Sequence, residues 1–177
     1  MSSPTPSDEE DWLSLLDLSA IADPGDKVSE CEYFLAIASN ETNRERFRWQ
    51  ISAFFNAAYS YFETSALSAY FSISDPQTGE PVADSQTLDI LRKYVRIVQN
   101  AKNPKYVKTA GLHPIAERLY ELRKANTHHF PMSIMIVGSS LPEDFHFGNM
   151  TGKGTPALAF CRSTMALIRT VEEELRA

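Results

Sequence analysis

Apolar positions recur at helical spacing along most of the chain, and this pattern predicts a succession of amphipathic helices. Residues 8 to 20 read as a short helix, with Ser7 as N-cap, Glu10 at the capping-box position and Trp12, Leu15, Leu16 and Ile21 on one side. Pro24-Gly25-Asp26 reads as a break. Beyond it, Val28, Cys31, Phe34, Leu35 and Ala38 place one buried stripe on a helix from Lys27 to Ser39. Asn40-Glu41-Thr42 interrupts the pattern again. The longest helical candidate then runs from Arg44 to about Phe71, free of Gly and Pro. Its Phe47, Ile51, Phe54, Phe55, Ala58, Tyr61, Phe62, Ser65 and Tyr70 cover much of its circumference, which makes it a central helix buried on more than one side.

Ser74 to Ala83, with Asp75-Pro76, Thr78-Gly79 and Pro81, reads as a turn-rich loop. A helix is expected from Asp84 to about Asn100, turning Leu88, Leu91, Tyr94, Val95 and Val98 inward, and residues 101 to 112 then form a long basic connection of the kind often used for function. Pro114 opens another helix, with Ile115, Leu119 and Leu122 on its apolar side and Pro131 limiting its end. Ser133 to Val137 is β-prone and Asp144 to Phe147 alternates, so a small hairpin across Gly138 to Glu143 is expected. Thr155-Pro156 opens a C-terminal helix through Leu158, Met165, Leu167, Ile168 and Val171. The expected fold class is all-α, an up-and-down helical bundle with a small β-hairpin near the C-terminus. An acidic arm over residues 1–22 precedes a single domain over 23–177.

Composition bounds this picture. A chain of 177 residues, 43% hydrophobic and 23% charged, has room for one domain with a sizeable core. The polar, acidic start lacks a secretory signal's basic and apolar regions, and no stretch approaches the roughly 18 uninterrupted apolar residues of a membrane span. Cys31 and Cys161 stand far apart in sequence, as small buried hydrophobes in a reducing compartment would, so a cytoplasmic protein is expected. The net charge of −6 argues against a general nucleic-acid binder. It also hides an asymmetry: Asp8, Glu9, Glu10, Asp11, Asp17, Asp23, Asp26, Glu30 and Glu32 crowd the first part of the chain against Lys27 alone. Arg92, Lys93, Arg96, Lys102, Lys105, Lys108, Arg118, Arg123 and Lys124 crowd a later part against Glu117 and Glu121. That later region reads either as solvated faces, with or without pairing to the acidic N-terminus, or as a surface that faces phosphates.

Within it, Arg123-Lys124-Ala125-Asn126-Thr127-His128 carries the main candidate chemistry. Cleavage of RNA through its own 2′-hydroxyl needs a base for that proton, an acid for the leaving 5′-oxygen and positive charge for the phosphorane-like transition state. One copy of the motif supplies one arginine and one histidine. Two copies across a twofold dimer would supply both histidines as acid and base and both arginines as clamps, with no metal required. The same residues admit a purely structural account, in which Arg123 pairs with Glu117 or Glu121 and His128 and His129 stabilise a helix C-terminus.

The order of segments Glu30-Cys-Glu-Tyr-Phe-Leu35, Arg48-Trp-Gln-Ile-Ser-Ala-Phe-Phe-Asn-Ala-Ala-Tyr-Ser-Tyr-Phe62 and His113-Pro-Ile-Ala-Glu-Arg-Leu-Tyr-Glu-Leu-Arg-Lys-Ala-Asn-Thr-His128 resembles the HEPN superfamily over roughly residues 27 to 130. That superfamily consists of helical bundles marked by an Arg-x(4 to 6)-His signature. The resemblance implies a homodimer acting as a metal-independent, toxin-type endoribonuclease, often partnered by an antitoxin-like nucleotidyltransferase, or else a member that has lost cleavage and serves as an RNA-binding or interaction module. Arg123 and His128 match its paired catalytic positions, and Lys124, Asn126 and His129 are the neighbouring substrate-binding candidates. Lys124 departs from the pattern, which usually has a small polar residue, most often Asn, directly after the arginine.

Other constellations are weaker. Gly148-Asn-Met-Thr-Gly-Lys-Gly-Thr155 has too few residues between its glycines for a phosphate loop, and its lysine precedes Gly rather than Ser or Thr. Cysteines and histidines show no paired metal-ligand spacing, so neither metal nor cofactor is expected.

Overall fold

The computed structural model describes residues 23–100, 102–128, 132–148 and 154–177. The short helix expected over residues 8 to 20 lies outside them. Helix α1 (Pro24–Ala38) and helix α2 (Arg44–Phe71) form an αα-hairpin joined by a short link. Helix α1 therefore begins at Pro24, earlier than the expected start at Lys27: Asp23 caps it, its carboxylate accepting from the Gly25 N–H at 2.8 Å, and proline at the first turn loses no bond. Asn43 caps α2 in the same way, accepting from the Arg46 N–H at 3.0 Å. α2 is the central helix, burying Phe47, Ile51, Phe54, Phe55, Ala58, Tyr59, Tyr61 and Phe62 around its circumference. On α1, Val28, Cys31 and Ala38 are buried against it.

After α2, strands β1 (Ile73–Ser74) and β2 (Pro81–Val82) pair across the turn-rich segment. Helix α3 (Ser85–Leu91) is short, and Asp84 caps it by accepting from the N–H groups of Gln86 and Thr87 at 3.0 and 3.1 Å. Here the helical expectation fails. The chain leaves α3 at Leu91 and forms an antiparallel ribbon from β3 (Val95–Asn100) and β4 (Asn103–Gly111), with Arg96 opposite Ala110 and Val98 opposite Lys108. The residues called inward on a continuous helix divide: Val95 is buried while Val98 is 63% exposed. Alternation of two, helped by the β-branched Val95, Ile97 and Val98, prevails over the 3.6 period. The basic connection over 101–112 is mostly β4.

Helix α4 (Pro114–His128) follows, starting directly from the ribbon. Strands β5 (Ile134–Ile136), β6 (Phe145–Phe147) and β7 (Thr155–Pro156) make a three-stranded antiparallel sheet that contains the expected hairpin. Helix α5 (Ala157–Arg176) closes the chain and packs on α1, α2, α3 and α4. The sheet joins the core through aromatic contacts, Phe145 with Phe47 at 4.4 Å and Phe147 with Phe55 at 5.5 Å between ring centroids. Five helices and seven strands in three small antiparallel sheets make the described residues mixed α and β, so the all-α bundle is overturned. Cys31 and Cys161 are fully buried free thiols, and burial pushes the Cys31 thiol up to about 12 and the Cys161 thiol well above its usual range. Among the described residues no helix is long and apolar enough to cross a membrane.

Candidate functional site

The ribbon, α2 and α4 meet at the residues that carry the candidate chemistry. The base of the ribbon is clipped by Tyr94, whose carbonyl accepts from both Leu112 and His113 N–H groups at 2.9 Å. The chain then turns sharply into α4. Gly111 allows this, because a Cβ there would lie 2.2 Å from the Glu117 backbone. His113 closes the helix start, its Nδ1 accepting from the Ile115 N–H at 3.3 Å and its carbonyl from the Glu117 N–H at 2.8 Å. α4 buries Ala116 and Leu119 against the core.

Further along α4, Arg123 is half-buried, its guanidinium lying over the Tyr59 ring with Cζ 4.1 Å from the centroid. Tyr120 flanks the same ring at 5.9 Å. Tyr59 is itself fixed, since its hydroxyl donates to the Thr109 carbonyl on β4 at 2.6 Å. Burial pushes the Tyr59 phenol up to about 12, with Glu63 nearby adding to the rise, so near neutral pH Tyr59 is a hydrogen-bond donor and a stacking platform rather than a base. Ring, strand and guanidinium thus form one stack, and a stacked cation in a half-buried site is worth about 1–2 kcal/mol. Glu121, one of the two carboxylates proposed as alternative partners of Arg123, pairs with Arg118 at 3.1 Å.

The other site residues fall differently. Lys124 is exposed beside Arg123. Positions 126 and 128 belong to the last turn of α4, but their side chains, like residue His129 as a whole, lie outside what is described. The helical backbone still fixes a relation. With about 100° per residue, position 128 is about 140° around the axis from position 123 and one turn beyond Lys124. Arg123 points at α2, and the side of the helix that carries position 128 is that of the exposed Lys124. The two signature positions therefore do not share a face of one helix. The Gly148–Thr155 segment lies largely outside the described residues.

Sequence reasoning missed Tyr59, Tyr120, Glu63 and Thr109. Nothing local singled out Tyr59 among the tyrosines of α2, and nothing local pointed to its partner on a strand. Comparison with family models, with curated proteins and with solved structures finds no match to the chain.

Proposed function

We propose that the chain is a HEPN-like RNA-directed protein that cleaves RNA without a metal, using Arg123 and His128 from two copies of itself. The observation that supports this is the arginine held over Tyr59: its planar charged group is pre-oriented by the ring and, through Tyr59, by β4. Because positions 123 and 128 lie on different sides of α4, one copy does not bring both to a single phosphate, and a twofold partner is the arrangement that completes the set. In the reaction, His128 of one copy takes the 2′-hydroxyl proton and the 2′-oxygen attacks phosphorus. The bond to the 5′-oxygen breaks, and His128 of the other copy gives that oxygen a proton. The arginines, aided by Lys124, neutralise the non-bridging oxygens, and the products carry 2′,3′-cyclic phosphate and 5′-hydroxyl ends.

A second reading has its own observation. The face of Arg123 that meets the Tyr59 ring is spent on packing, which suits a silent binding module in which the arginine locks α4 to α2. Labelled RNA incubated in excess chelator with the wild type, Arg123→Ala and His128→Ala distinguishes the two. The cleavage reading expects cyclic-phosphate ends from the wild type and a loss of at least about a hundredfold in both variants, with folding and dimerisation retained. Absence of cleavage from a folded, dimeric wild type, with Arg123→Ala lowering the melting temperature and His128→Ala leaving it alone, establishes the silent module.

A further inference from the structure

The outer face of the β3–β4 ribbon carries a second feature, which the Arg123 site does not use. Its inner face packs into the protein through Val95, Val107 and Thr109, all buried. By strand alternation and register, Arg96, Val98, Tyr106 and Lys108 share the opposite face, with Lys102 exposed at the turn. Val98 is 63% and Tyr106 49% exposed, uncommon for apolar and aromatic residues on adjacent strands of one face. Lys108 Nζ lies 5.6 Å from the Tyr106 ring centroid.

The charges around this face are also unbalanced. From residue 90 to residue 116 the sequence contains no Asp or Glu, while Arg92, Lys93, Arg96, Lys102, Lys105 and Lys108 fall within the same span. Arg92 and Lys93, at the foot of the ribbon, are matched with Asp89 and Glu174 at 2.8 and 2.7 Å. None of the ion pairs among the described residues involves Arg96, Lys102 or Lys108. Elsewhere exposed cations are routinely paired, as Arg162 is with Glu143 at 2.6 Å and Arg169 with Glu32 at 3.1 Å. In an acidic protein, an acid-free strip of cations around an exposed tyrosine and valine complements a polyanion that also offers flat apolar surface.

We propose that the outer face of the β3–β4 ribbon binds single-stranded RNA, Arg96, Lys102 and Lys108 meeting successive phosphates and Tyr106, with Val98 beside it, taking an unpaired base. A paired base is stacked on both sides and has no face for Tyr106, and the deep major groove of an A-form duplex does not admit a ribbon, so the single strand is the form this face fits. The inference rests on the RNA-directed reading above and extends it. Thr109, on the inner face, ties the ribbon to Tyr59 and thus to the Arg123 stack, so the ribbon is anchored to the elements that carry the candidate site.

The test uses the full chain and a fluorescent 2′-O-methyl oligonucleotide of about twelve nucleotides, which presents phosphates and bases but no 2′-hydroxyl to be cleaved. Anisotropy at about 0.1 M salt is read for the wild type, Arg96→Glu, Lys108→Glu, Tyr106→Ala and, as a matched charge change away from the ribbon, Arg162→Glu. The expected result is about tenfold weaker binding for each ribbon variant, a change below about twofold for Arg162→Glu, and weaker binding of the same sequence as a duplex. Equal binding by all variants, no binding by the wild type, or preference for the duplex overturns the proposal. Since the probe cannot be cleaved, failure of the cleavage reading leaves this result standing, and cleavage with ribbon variants fully active and fully binding sinks the ribbon alone.

Discussion

At the scale of single residues, Tyr59 does more than its neighbours on α2. One hydroxyl bonds the Thr109 carbonyl and one ring face carries Arg123, so a core position is also the joint between strand, central helix and candidate site. Replacing Tyr59 by Phe keeps the ring and removes the bond, leaving a buried carbonyl without its donor. The expected cost is about 1–3 kcal/mol, read as a lower urea midpoint with an unchanged slope, while the stacked cation stays in place. A variant as stable as the wild type would show that the Thr109 carbonyl finds another donor. Asp84 offers a pH-dependent counterpart. Its hydrogen bonds from the Thr87 hydroxyl and the Thr87 and Gln86 N–H groups hold its carboxyl below the usual value. A carboxylate with a depressed folded-state pKa contributes stability that is full above its unfolded value near 4 and is lost as pH falls through the folded value. Asp84→Ala should therefore cost about 1 kcal/mol at pH 7, and thermal melts of the two proteins should begin to approach each other only below about pH 4 and converge once the pH is under the folded-state value.

At the scale of elements, legibility tracked the range of the information needed. α2 was readable end to end, because an alanine-rich and aromatic run without Gly or Pro, preceded by the capping Asn43, leaves few alternatives. α4, α5 and the β5–β6 hairpin were likewise local in their signals. The ribbon was not. Leu88, Leu91, Val95 and Val98 satisfy a helical period as well as Val95, Ile97 and Gln99 satisfy alternation, and the tie is broken by β4, whose own residues look like a basic loop until they are paired. The start of α1 was set too late, at Lys27, because a proline that interrupts a helical pattern is also a favoured residue at the first turn of the next helix. The site divides in the same way. Arg123 and its neighbours were visible as a motif on a helix, whereas the ring beneath the arginine and the strand behind that ring come from elements far away in sequence. The face separation of positions 123 and 128 follows from α4 remaining helical through His128.

At the scale of the whole molecule, the distribution of charge matters more than its sum. Residues 1–22 hold Asp8, Glu9, Glu10, Asp11 and Asp17 and no lysine or arginine, so they are the segment of this chain best able to compete with a polyanion for the ribbon. Removing residues 1–22 should strengthen binding of the 2′-O-methyl oligonucleotide several-fold at low salt, with the gain shrinking as salt rises, and anisotropy titrations at two ionic strengths check it. Unchanged affinity would remove any competing role for the arm. The acid-free span from residue 90 to residue 116, set in a chain of net charge −6, has a further consequence. A molecule built this way presents one cationic ribbon beneath its net repulsion from other anions. A polyanion approaching at random would be turned away from most of the surface and rotated toward the ribbon, so orientation rather than attraction would govern the rate of productive encounter.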